Sequence, residues 1–60
     1  MVYKIEIETD NAAFEDGGGN REIARILLGL SMDIRGGCEL DRTLRDVNGN
    51  RVGRAEMVTA

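Results

Sequence analysis

The stretch "RDVNGNRVG", residues 45–53, admits two readings that lead to different proteins. Asp46, Asn48 and Asn50 fall at the first, third and fifth places of an EF-hand calcium loop, and the same letters spell a tight β-hairpin. The calcium loop also needs glycine at its sixth place and a bidentate glutamate at its twelfth. Those places hold Arg51 and Met57. Arginine brings a positive charge to a dication and makes the sharp turn poorly, methionine supplies no oxygen, and no helical pattern leads into the loop. The expectation is therefore no metal and no cofactor.

The hairpin reading fits almost every letter. A type I turn favours Asp at its first position, accepts Asn at its third and favours Gly at its fourth, which is the order Asp46, Val47, Asn48, Gly49. With Gly49 left-handed as a bulge residue, Asp46 faces Asn50 and Leu44 comes opposite Val52, so two apolar side chains meet on one face. A two-residue Asn48-Gly49 turn would instead set Arg45 opposite Val52. The three-residue loop is preferred, with strands of about 42–47 and 50–58. Val52, Ala55 and Met57 then look inward, a change of parity that a bulge at Gly53 explains.

Upstream, "VYKIEIET" alternates, with Tyr3, Ile5, Ile7 and Thr9 on one face and Val2, Lys4, Glu6 and Glu8 on the other. That is a strand with one wet face. In "DNAAFEDGGGN", Asp10 is expected to cap a single turn and Phe14 to pin the loop to the core. Asn20 is expected to cap a helix over 21–35 that Gly36-Gly37 ends. Ile23, Ile26, Leu27, Leu30 and Ile34 form its sheet-facing stripe. Leu28 and Met32 lie roughly 140° and 180° from Ile23 at about 100° per residue, on the solvent side beside Arg21, Arg25 and Arg35.

The order strand, helix, hairpin gives an α+β domain of βαββ type. A right-handed crossover sets the second strand parallel to the first. Inserting the third between them yields a three-stranded antiparallel sheet in the order 1-3-2, with the helix on one face. A chain of 60 residues makes one small domain that struggles to bury a core, so marginal stability or association with a second copy is expected. The single cysteine, Cys38, points to a reducing compartment. The longest apolar run, "ILLGL", falls far short of the roughly 20 residues a membrane span needs, and the expectation is a cytoplasmic protein.

Catalytic groups are hard to assemble from this composition. The run "GGGNREIAR" resembles an anion cradle at a helix start, but no P-loop lysine follows, and Glu15, Asp16 and Glu22 repel phosphate. Cys38 has no histidine to act as its base, because the chain contains none. Glu6 and Glu8 share an exposed strand face with nothing apolar to raise a pKa, and read as a solvated face or a guard against edge-to-edge pairing. No enzyme is expected.

Charge is more informative. The chain carries a formal net charge of −3, unevenly distributed. Residues 1–16 set Lys4 against Glu6, Glu8, Asp10, Glu15 and Asp16, net −4, whereas 42–54 set Arg42, Arg45, Arg51 and Arg54 against Asp46, net +3. Such polarity suits recognition of a charged protein, or of one copy's acidic strand by another's hairpin. Two surfaces emerge as candidates. The first is the outward helix face of Arg21, Arg25, Leu28, Met32 and Arg35, for a protein partner or a second copy. The alternative is the hairpin arginines as a grip on nucleic-acid phosphates, which the acidic balance and scarcity of aromatics oppose.

The blocks "YKIEIETDNAAFED" (3–16), "EIARILLGL" (22–30) and "LRDVNGNRVG" (44–53) resemble small proteins encoded by bacteriophages and prophages of proteobacteria. The resemblance covers about half the chain, most specifically in "TDNAAFED" and the hairpin. It implies an accessory phage protein, a class that includes anti-CRISPR and other anti-defence inhibitors acting in the host cytoplasm. The expected function is thus inhibition of a host defence protein by occlusion or clamping, without catalysis.

Overall fold

Gly49 has a φ of 84°. Its N–H donates to the Asp46 carbonyl at 3.0 Å, and the Asp46 N–H donates to the Asn50 carbonyl at 2.9 Å. This is the three-residue loop with a left-handed glycine, and it closes the hairpin. The computed structural model describes residues 1–15 and 17–59. It contains β1 (Val2–Ile7), a 3-10 turn (Ala12–Phe14), α1 (Gly19–Arg35), β2 (Arg42–Arg45) and β3 (Arg51–Val58). The sheet is antiparallel in the order β1-β3-β2, and α1 packs on one face.

The hairpin register differs from expectation by one residue. Arg45 faces Arg51, as a turn closing at Asp46 and Asn50 requires, but Leu44 faces Gly53 rather than Val52, because the ladder shifts between Leu44 and Arg45. Val52 and Gly53 together oppose Leu44, so the strand bulges there. The bulge turns Val52 inward beside Ala55, and both are buried. Glycine is required at 53 because the neighbouring strand comes too close: a Cβ there would lie 1.9 Å from the Glu6 carbonyl oxygen. Both hairpin strands are shorter than the sequence suggests, ending at Arg45 and beginning at Arg51.

Two caps are also corrected. Asn11, not Asp10, caps the short turn, its side-chain oxygen accepting from the Ala13 N–H at 2.9 Å. The helix starts at Gly19 with Gly18 as its cap, and Asn20 sits inside the first turn. At the other end Gly36 caps the helix, and Gly37 adopts a φ of 90°.

Phe14, Ile26, Leu30, Leu44, Val52 and Ala55 form the core, with Tyr3, Ile7, Ile23 and Ile34 packed against it. Phe14 pins its loop as expected. Leu27, placed in the buried stripe, is exposed. The buried face of α1 is rotated toward Glu22, Ile26 and Leu30, which follow one another at intervals of four. Ile5 is likewise 41% exposed although it faces the helix side. The helix therefore leaves the outer flank of β1 uncovered.

Candidate partner-binding surface

α1 presents Leu28 and Met32 to solvent with 63% and 65% of their surface exposed. They stand one turn apart, so their side chains form a single apolar island. Arg21 and Arg35 are exposed on the same side of the helix.

Arg25 is engaged otherwise. Its guanidinium grips Glu22 through two hydrogen bonds, of 2.7 and 3.0 Å, and donates a third to the Arg45 carbonyl at 3.2 Å. Glu22 is only 6% exposed, and it also accepts the Val47 N–H at 2.7 Å. Arg25 thus serves as a brace between helix and hairpin.

Beside it, Asp46 is 4% exposed and accepts from the N–H groups of Asn48 and Asn50 and the side-chain amides of Asn50 and Asn11. The two carboxylates join β2, the hairpin loop, the 3-10 turn and α1 in one polar cluster. The Arg25 guanidinium holds the Glu22 carboxyl below the usual glutamate range, with the Val47 N–H adding to it against the opposing effect of burial. For Asp46, burial is the largest single influence and pushes its pKa up; the donors from Asn50, Asn48 and Asn11 together outweigh it and leave the carboxyl below its ordinary value. Among the described residues no buried side-chain nitrogen or oxygen lacks a partner. Charges that are buried and fully bonded in this way are costly to break, because removing one partner leaves the other buried and unpaired.

The hairpin arginines do not form one patch. Arg42 turns to the helix side and pairs with Asp33 at 3.0 Å. Arg54, on the open face of the sheet, pairs with Glu56 at 2.7 Å. Arg45 donates to the Gly49 carbonyl at 3.1 Å, and Arg51 is exposed. On the same open face Lys4 pairs with Glu6 at 2.6 Å, and Glu6 lies opposite Arg54 across the ladder. Alternating signs, rather than a basic stripe, cover this face.

Of the remaining sequence-level candidates, Cys38 is exposed and free, and Asp16 lies outside the described residues. Among those residues, no group of three or more histidine, cysteine or acidic side chains is placed to hold a metal. No helix there is long and apolar enough to cross a membrane. Glu22 is the residue the sequence reading missed. The available signal was its position four before Ile26 and eight before Leu30, on the buried face.

No protein-family model, curated protein or solved structure matches this chain.

Proposed function

We propose that this chain is a phage accessory protein that binds and occludes a host defence protein of the CRISPR-Cas type in the host cytoplasm, acting by contact and without catalysis. The observation that carries the reading is the island of Leu28 and Met32. Single exposed apolar residues are ordinary on any surface. Two stacked at over 60% exposure, on a domain this short of core, with Arg21 and Arg35 beside them, have the make-up of an interface centre. The polar cluster around Glu22 and Asp46 supports it from the other side, since its groups are consumed in holding the fold. The sequence resemblance supplies the biological setting.

A nucleic-acid grip is supported less well, because Arg42 and Arg54 are already paired with carboxylates and Glu6, Glu8 and Glu56 share the sheet face with Arg51 and Arg54. The test is phage plating on a host with and without an active CRISPR-Cas system. Expression of the protein is expected to raise plating on the defended host alone. Equal plating on the defended host with and without the protein contradicts the proposal.

A further inference from the structure

β1 forms one edge of the sheet, with β3 on its inner side only. The Glu8 N–H donates to the Val52 carbonyl at 2.7 Å, which sets the phase of the ladder. Alternate residues back along the strand, Glu6, Lys4 and Val2, bond to β3, and Tyr3, Ile5 and Ile7 turn their N–H and C=O groups outward. An edge of this length, ending in no bulge or proline, is a template for another strand, and its Lys4 and Glu6 guard it against every edge but one that matches their charges. Above it runs an apolar groove of about 470 Å³ between β1 and α1, lined by Tyr3, Ile5, Leu27, Ile34 and Arg35 among others. The opposite edge is different: β2 is four residues long, carries Arg42 and Arg45, and has the Arg45 carbonyl taken by Arg25.

We propose that β1 pairs with β1 of a second copy of this chain, antiparallel and centred on Ile5, joining the two sheets into one with both helices on the same face. The charges of the strand select that register. Centred on Ile5, Lys4 stands opposite Glu6 of the second copy and Glu6 opposite its Lys4, while Tyr3 meets Ile7 and Ile5 meets Ile5 on the helix side. The outward N–H and C=O groups of Tyr3, Ile5 and Ile7 all find partners. Centring on Lys4 sets lysine against lysine, and centring on Glu6 sets Lys4 against Glu8 but also glutamate against glutamate, so the Ile5 centre pairs opposite charges without a like-charge contact. A centre between residues would set Ile5 opposite Glu6, whose N–H and C=O are already turned toward β3, and no ladder could form. Pairing β1 with the basic β2 of another copy offers charge attraction, but it is head-to-tail and does not close at two.

Each copy in this pair brings the flank of its helix toward the other's groove and covers Ile5 and Leu27. Leu28 and Met32 do not line the groove, and Arg35 alone stands at both its rim and the outer helix face, so the pairing leaves the apolar island open.

The test uses sedimentation of the full chain from micromolar to millimolar concentration with two exposed single variants, Lys4→Glu and Glu6→Lys. The parent is expected to dimerise. Each variant alone places like charges across the seam and is expected to weaken dimerisation by about tenfold or more, whereas an equimolar mixture of the two restores complementary pairs and is expected to associate within about threefold of the parent. A measurement on the parent alone guards against variants that fail to fold: the Tyr3, Ile5 and Ile7 amides should exchange with solvent more slowly as concentration rises. Parent monomer throughout with concentration-independent exchange, open-ended association, or a mixture no tighter than its components overturns the proposal.

Discussion

The Glu22 carboxylate, on the first turn of α1, accepts the amide proton of Val47 at the tip of the hairpin across 2.7 Å. Residues 25 apart in sequence are thereby locked, and the same carboxylate is held by Arg25 from the turn above it. This contact ties the hairpin tip to the helix, whose phase, and with it the direction of the Leu28–Met32 face, is set by Ile26 and Leu30 in the core. Replacing Glu22 with Ala removes the acceptor of the Val47 N–H and the partner of Arg25, so it is expected to lower the melting temperature well beyond Arg21→Ala one residue away. Equal melting of the two variants by circular dichroism would remove the brace from the account.

Acid should loosen the same cluster. Glu22 and Asp46 both titrate below their ordinary values in the folded chain, so the unfolded chain binds more protons as pH drops. The stability they contribute is fully present above the ordinary carboxylate range and is lost as pH falls through about 4 toward their folded values. The parent's melting temperature is expected to drop steeply there. A Glu22→Gln, Asp46→Asn double variant should melt lower at neutral pH but decline less on acidification. A decline as steep as the parent's would assign the acid response to other carboxylates.

Two glycines should respond in opposite directions to alanine. Gly53→Ala drives a methyl group into the Glu6 carbonyl and is expected to cost about 3 kcal/mol or more, detaching β1. Gly29→Ala, on an exposed helical position with open space around it, is expected to stabilise by up to about 1 kcal/mol through helix propensity. Chemical denaturation of both variants measures this; a tolerated Gly53→Ala would contradict the close approach of β1 and β3.

At the hairpin tip, Gly49→Val should cost more than Arg45→Ala. A β-branched residue is strained at a φ of 84° even though no atom lies within 4 Å of its Cβ. Arg45→Ala removes only an exposed bond to the Gly49 carbonyl. Equal melting temperatures would refute the turn assignment.

The hairpin, the strand order and the helix were legible because each is written in local chemistry: Asp46 to Gly49 as a turn, alternation at Tyr3 to Ile7, and Gly36-Gly37 as a stop. Leu28 and Met32 were legible by helical phase alone. Glu22 was not, since burying a carboxylate depends on donors that arrive from Val47 and Arg25 only once the chain has folded. The shift that sets Leu44 against Gly53 was half legible. Glycine in a strand signals a bulge, but which residue becomes the extra one depends on how closely β1 approaches. Leu27 and Ile5 read as core because they share a face with core residues, yet one helix is too narrow to cover the full width of the sheet.

The role of the outward face of α1 is tested most directly by the Leu28→Glu, Met32→Glu double variant, assayed for melting, sedimentation and phage plating on the defended host. Neither side chain enters the core or the β1 groove. The variant is expected to melt within about 3 °C of the parent, to keep the parent's self-association, and to lose the gain in plating. A variant that unfolds would place these residues in the core, and one that folds and protects phage as well as the parent would show that the face binds nothing the function needs.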